Sequence, residues 1–140
     1  MRKEPIGKLI SLIHRHSQKT LNKRLAAYNL GGGGQHSFLK TILHKPGINQ
    51  DQLTHDLKFD KATTARAVKQ LEQAGYIRRI VNDQDRRSLS LYPTAKAEAF
   101  MPQLQSILDE HNDRLTRNLT EDEHLQLIAL LRKVNLETEE

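Results

Sequence analysis

A run of hydrogen-bond donors follows Asp60 along one side of a predicted helix. Asp60 is a residue type that caps helix N-termini, and helical spacing continues to Ala74 before Gly75 ends it. Small apolar side chains form the predicted inner face, which consists of Ala62, Ala65, Val68 and Leu71. The predicted outer face carries hydroxyl, ammonium and guanidinium groups, on Lys61, Thr63, Thr64, Arg66 and Lys69. Such a face could enter a DNA major groove, with Thr64 and Arg66 reading bases and Lys69 contacting phosphate.

Four arginines lie within ten residues in the segment that follows, Arg78, Arg79, Arg86 and Arg87. Residues 76–81 are rich in β-formers, 82–87 have turn composition, and 88–92 alternate between polar and apolar, which predicts a hairpin with a charged tip. Guanidinium groups at a narrow tip suit a DNA minor groove, where the negative potential is strongest in A·T-rich sequence. Asp85 would orient Arg87 through a charge-assisted hydrogen bond. The predicted hairpin contacts are therefore Arg78, Asp85, Arg86 and Arg87.

Two shorter helices precede these groups and must position them. A helix is predicted over Gln35 to His44, and Pro46-Gly47 ends it. Asn49 is predicted to cap the next helix, with Gln52 as its reciprocal partner, and that helix reaches Leu57. The order helix, turn, helix, hairpin within residues 35–92 predicts a winged helix-turn-helix lobe. An ordinary amphipathic surface helix is the alternative interpretation of the donor-rich segment.

The terminal segments carry apolar stripes that this lobe does not use. Helical spacing predicts helices over 6–28, 95–117 and 121–135, and Pro102 should kink the second or begin a new segment. Thr94 and Thr120 are the expected caps, and Glu123 completes a capping box with Thr120.

The stripes of the terminal helices need a surface to cover them. We expect 5–28 and 95–136 to be dimerisation helices that interleave with a second copy, although packing onto their own chain is the alternative. The expected dimer contacts are Leu104, Ile107, Leu108, Ile128 and Leu131. The fold class is then mainly α with a small β-hairpin wing, as one domain over residues 1–140.

Composition narrows the function classes. The 140 residues carry a net charge of +5, distributed as +10 over residues 1–92 and −5 over 93–140, which favours nucleic acid as the partner of the basic part. The absence of cysteine excludes disulfides and thiolate zinc sites. No phosphate-binding loop, nucleophile elbow or metal-ligand spacing appears, so we expect no enzyme activity and no cofactor. Apolar runs are short and tryptophan is absent, so we expect a cytoplasmic protein that does not bind membranes.

The segment from Asp60 to Ile77 resembles the recognition helix of the MarR family of bacterial transcription regulators. The run Asp83-Gln84-Asp85-Arg86-Arg87-Ser88 is similar to the wing signature of that family. The resemblance implies an obligate homodimer that binds a pseudo-palindromic operator, sequence-specific binding of double-stranded DNA, and a role as a ligand-responsive repressor. This chain departs from the family pattern at Tyr92-Pro93-Thr94, at Ala97 and in the four glycines before Gln35.

The resemblance also implies a small effector. Anionic aromatic ligands enter a pocket between the dimer helices and the DNA-binding lobe in the resembled family. By position, His14, Arg15, His36 and Phe38 are the expected lining here. Two alternatives remain open from the residues: a zinc-responsive regulator of the same fold, since the chain has seven histidines, and a winged-helix RNA-binding module. No particular histidine is predicted as a metal ligand.

Overall fold

The computed structural model describes residues 4–32, 34–81, 84 and 88–134. Within these described residues, six α-helices and one hairpin follow each other. They are α1 (Ile6–Leu25), α2 (Gln35–His44), α3 (Gln50–Leu57), α4 (Lys61–Gln73), β1 (Ile77–Val81), β2 (Leu89–Pro93), α5 (Ala95–Thr116) and α6 (Glu121–Lys133), with a short 3-10 turn at Ala26–Tyr28 after α1. The predicted fold class, mainly α with a small β-hairpin, is confirmed.

Side-chain caps begin four of these helices at the predicted residues. Asn49 and Thr120 each form a complete capping box, with Gln52 and Glu123 as the reciprocal partners. The carboxylate of Asp60 accepts the Thr63 backbone N–H at the start of α4. The Thr94 hydroxyl accepts the Ala97 N–H in the same way at the start of α5. Because each cap satisfies a donor that the first helical turn leaves unpaired, the boundaries follow from local sequence.

Pro102 lies inside α5, which continues as one helix from Ala95 to Thr116. The alternative that Pro102 begins a new segment is therefore wrong. The hydrogen bond that Pro102 cannot donate would go to the carbonyl of Glu98, an exposed residue, where water can take its place.

The core lies where α2, α3, α4 and the hairpin meet the end of α1 and the first half of α5. Its largest fully buried side chains include Leu25, Phe38, Ile42, Leu53, Leu71, Leu91 and Leu104. Each such side chain contributes roughly 1.5–3 kcal/mol by leaving water, so this cluster fixes how the helices are arranged.

The hairpin is antiparallel and is held to the lobe through the middle of β2. Ile77 pairs with Pro93, and Arg79 pairs with Leu91 in the middle of the strands. Leu91 also forms an isolated bridge with Ile48, where the Leu91 N–H donates to the Ile48 carbonyl at 2.9 Å. The middle of β2 is thus joined to the loop between α2 and α3.

The described part of α6 contributes no buried residue. Its apolar side chains are exposed, as are those on the first half of α1, and they include Ile6, Ile10, Ile13, Leu125, Ile128, Leu130 and Leu131. Within the described ranges, no helix is both long enough and apolar enough to span a membrane.

Candidate nucleic-acid interface

The outward face of α4 is basic and lined with small residues. Lys61, Arg66 and Lys69 are exposed, and so are Ala62 and Ala65. The buried face instead consists of Thr64, Ala67, Val68 and Leu71. The predicted inner face was therefore wrong for Ala62 and Ala65, which are surface residues. Spacings of three and four from Thr64 were the signal that would have found the true face.

Thr64 is fully buried, so the prediction that it reads a base is wrong. Its hydroxyl donates to the Asp60 carbonyl at 3.0 Å and accepts from the Thr54 hydroxyl at 2.8 Å. Thr54 lies on α3, so this bond joins the two helices of the helix-turn-helix. A buried hydroxyl needs such partners, because an unpaired one costs about 1–3 kcal/mol.

A short chain of polar contacts holds Arg66 at the first turn of α4. Arg66 Nη2 donates to the Thr63 hydroxyl oxygen at 3.2 Å, and that hydroxyl donates to Asp60 Oδ2 at 3.1 Å. Hydrogen bonds from the Thr63 backbone and side chain hold the pKa of Asp60 below its usual value. The guanidinium of Arg66 is exposed and remains able to use its other donors.

The arginines of the hairpin have different surroundings. The Arg78 guanidinium lies over the Tyr92 ring, 5.8 Å from the centroid, on the exposed side of the wing. Arg79 instead pairs with Glu72 of α4 at 2.6 Å. Arg79 is therefore already paired within the chain, which the run of four arginines in the sequence did not predict. The predicted contacts Asp85, Arg86 and Arg87 lie outside the described residues.

The four predicted effector residues are not brought together. Phe38 is fully buried and its ring packs 4.9 Å from that of Phe59, so its assignment to a pocket wall is wrong. His14 lines an apolar groove between α1, α5 and α6. Arg15 is exposed. His36 is half-buried, and His111 of α5 is among the groups that lower its pKa, after desolvation.

A cavity of about 550 Å³ lies beside α1 and the second half of α5. Two arginines, two histidines, a hydroxyl and an apolar side chain line it: His16, Thr20, His111, Arg114, Leu115 and Arg117. Arg114 also pairs with Glu110 at 3.2 Å. This cavity could not be predicted from the sequence, because its residues come from helices about a hundred positions apart.

His111 is the buried polar group of this cavity, with only 7% of its surface exposed. Neither ring nitrogen has a hydrogen-bond partner among the described residues. Burial lowers the pKa of His111, and the neighbouring His16 and Arg114 lower it further. The ring is therefore held neutral at pH 7, with one donor and one acceptor. In the described part of the chain, no three histidine or carboxylate side chains are grouped to hold a metal ion.

The helix pair, the exposed basic face of α4 and the adjoining hairpin define the winged helix-turn-helix class. The family model of the MarR family matches residues 34–89. The chain is 33% identical over 101 residues to the uncharacterized HTH-type transcriptional regulator YybA of Bacillus subtilis. The matched residues cover 72% of this chain and 67% of that protein. It is 28% identical to the multiple antibiotic resistance protein MarR of Escherichia coli, over 93% of this chain and 90% of that protein.

Solved structures agree with these relatives. A MarR transcriptional regulator from Methanosarcina mazei superposes with a TM-score of 0.86 at 35% identity, over 93% of both chains. A putative MarR family regulator from Listeria monocytogenes, solved with a 26mer DNA, gives a TM-score of 0.87 at 30% identity, over 94% of this chain and 87% of that one. The chain belongs to the MarR family of transcriptional regulators, as its resemblance in sequence indicated.

Proposed function

We propose that this protein is a sequence-specific repressor that binds a pseudo-palindromic operator in double-stranded DNA as a homodimer. The observation that carries this proposal is the exposed basic face of α4 beside the hairpin, in the same fold as a relative solved with DNA. Exposed donors at this face suit a major groove, and the hairpin suits the adjacent minor groove. The proposed contacts are Lys61, Thr63, Arg66, Lys69 and Arg78, together with Asp85, Arg86 and Arg87 at the tip.

The homodimer is supported by the apolar face that a single chain leaves open. A groove of about 650 Å³ between α1, α5 and α6 is lined largely by apolar side chains, which include Ile10, Ile13, Leu115, Leu127, Ile128 and Leu131. Monomeric proteins rarely expose a patch of this kind. A second copy of the same helices would cover it and place two reading helices on one face of the DNA.

The expected dimer contacts need a correction on this basis. Leu104 and Ile107 are buried within the chain itself, and Leu108 packs against the same core. Leu104 and Ile107 are therefore not free to face a partner, whereas Leu108 is only partly buried and stays in the proposed interface. Ile128 and Leu131 are exposed and remain in the proposed interface.

An anionic effector is supported by the cavity at His111 rather than by the four residues expected from the sequence. Arg114 and Arg117 supply positive charge, Leu115 an apolar wall, and neutral His111 an unused donor. An aromatic carboxylate matches this combination of groups. In a panel of aromatic carboxylates, the ligand that releases DNA should do so less effectively with the Arg117→Gln variant, whereas an unchanged response would remove this cavity from the proposal.

The experiment that tests the proposed function is selection of bound fragments from genomic DNA by the purified protein. The proposal expects enrichment of a sequence with two related half-sites, and weaker enrichment of that sequence by an Arg66→Ala variant. Repression is tested by placing that sequence over a reporter promoter. Recovery of fragments without a shared sequence would contradict specific binding. The protein is proposed to act without enzymatic turnover, in the cytoplasm where the DNA lies.

A further inference from the structure

Glu72 and Arg79 form a two-donor contact between the recognition helix and the wing. Glu72 lies in the last turn of α4, and its Oε1 accepts both Arg79 Nε at 3.1 Å and Nη2 at 2.6 Å. The two side chains are 36% and 34% exposed. The hydrogen bonds from Arg79 hold the pKa of Glu72 below its usual value, so the carboxylate is charged at neutral pH.

A carboxylate at this place opposes DNA binding by charge alone. The same helix presents Lys61, Arg66 and Lys69 for binding, and each added negative charge weakens attraction to phosphate. Glu72 therefore needs a benefit that offsets this cost.

The benefit lies in what holds the outer part of β1. Ile77 is buried, but the other four residues of the strand are exposed. Beyond Ile77 the strand is therefore held by its pairing with β2 and by contacts of exposed side chains, and not by burial of its own side chains. Arg79 lies on the same face of β1 as Ile77, and its cross-strand partner on β2 is the buried Leu91. The Arg79 side chain reaches from the strand to α4. Two donors of one planar guanidinium on the same carboxylate oxygen hold strand and helix at a fixed distance and restrict how the Arg79 side chain can turn.

We propose that Glu72 is a positioning residue that sets the angle between the recognition helix and the wing through Arg79. This inference rests on the proposed DNA-binding function and adds the means by which two grooves are contacted at once. Wing and helix then bind as one rigid unit, so less conformational entropy is lost on the operator.

The decisive variant is Glu72→Gln, because charge and positioning predict opposite results for it. Removing a negative charge should tighten binding if only charge matters. Loss of positioning should weaken binding to the selected operator duplex by about three- to tenfold, while a scrambled duplex of equal length binds equally or more tightly. Asp51→Asn is the matched control, since it removes an exposed carboxylate of the same lobe from α3. It should leave operator binding unchanged or tighter.

The charge-swapped variant Glu72→Arg with Arg79→Glu separates positioning from direct contact by Arg79. The swap keeps the net charge and can rebuild the ion pair, so it should recover operator affinity beyond Glu72→Gln and Arg79→Gln alone. Unfolding midpoints of all variants should agree with the parent, because the pair is exposed.

Two results would overturn the inference: tighter operator binding by Glu72→Gln, or a swapped variant no better than the single ones. Failure of the parent protein to prefer the selected duplex over the scrambled one would instead contradict the proposed function. The two failures are therefore distinguishable in one titration series.

Discussion

Thr54 and Thr64 join the two helices of the helix-turn-helix through a hydroxyl-to-hydroxyl hydrogen bond of 2.8 Å. Thr64 is fully buried, and its own hydroxyl donates to the Asp60 carbonyl. Because Asp60 also caps α4, the start of the recognition helix is tied to α3 at this one place. This hydrogen bond adds to the apolar core, which includes Leu53 of α3 and Leu71 of α4, in holding the two helices together.

Replacing Thr64 with valine should therefore reduce stability without altering sequence discrimination. The shape is kept, but two hydrogen bonds are lost, the one that Thr64 donates to the Asp60 carbonyl and the one that it accepts from the Thr54 hydroxyl. The free energy of unfolding should therefore fall by about 1–3 kcal/mol. Chemical denaturation measures this value, and titration of operator and scrambled duplexes measures discrimination. A collapse of the operator preference at unchanged stability would show that Thr64 reads bases after all.

Arg66 and Lys69 should give different kinds of loss when each is replaced with alanine. Lys69→Ala should weaken binding to operator and scrambled DNA about equally and make the salt dependence shallower by about one unit. Arg66→Ala should narrow the gap between the two duplexes by roughly 1–3 kcal/mol. Titrations at several salt concentrations separate the two effects. Equal losses on both duplexes for Arg66→Ala would make it a backbone contact.

Leu131 offers a clean probe of the proposed dimer, because it lies in the apolar groove and is 49% exposed in the single chain. Burial of such a side chain contributes roughly 1.5–3 kcal/mol, and a two-fold interface contains it twice. Leu131→Glu should therefore weaken self-association by about 100-fold or more, and operator affinity should fall with it.

Gln126→Glu adds the same charge to another face of α6 and serves as the control. Sedimentation measures the association of both variants. A Leu131→Glu protein that sediments as the parent does and binds the operator equally well would contradict the dimer interface.

His111 should make the stability of the protein depend on pH. Its pKa is lowered from 6.5 by burial, then by His16 and Arg114, and that of His36 is lowered by burial, His111 and Lys40. A lowered histidine pKa means that the unfolded chain binds protons more readily. Stability is therefore complete above about pH 6.5 and is lost as the pH falls below it.

The measurement is the free energy of unfolding between about pH 7.5 and 5.5. The His111→Gln variant should show a shallower decline than the parent. His55→Gln, at an exposed histidine of α3, controls for removal of a histidine as such. A variant with the same slope as the parent would contradict the account of His111.

Helix boundaries could be predicted because their signals are local. Asn49 with Gln52, and Thr120 with Glu123, each satisfy donors within one turn, so no other part of the chain is needed to recognise them. The buried face of α4, by contrast, was not predicted correctly. Thr64 is polar by type and was therefore predicted on the outer face, although it lies three, four and seven residues before the buried Ala67, Val68 and Leu71. The partner of its hydroxyl, Thr54, lies across the turn and cannot be recognised from the sequence of α4 alone.

Contacts between segments that are far apart in the sequence could not be predicted from local sequence patterns. Leu104 and Leu131 both belong to apolar stripes, but the structure buries the first within the chain and leaves the second exposed. An apolar stripe indicates that a helix face becomes buried, but it does not identify the surface that buries it. The cavity around His111 has the same origin, since His16 and Arg117 meet there only after α1 packs on α5.

A competition titration tests the central claim most directly. The parent protein is bound to a labelled operator duplex selected from genomic DNA and challenged with scrambled duplex DNA and with RNA of the same sequence. The account predicts that unlabelled operator competes at least about 1,000-fold better than scrambled DNA, with RNA weaker still and two chains bound per operator. Equal competition by scrambled DNA, or preferential binding of RNA, would contradict it.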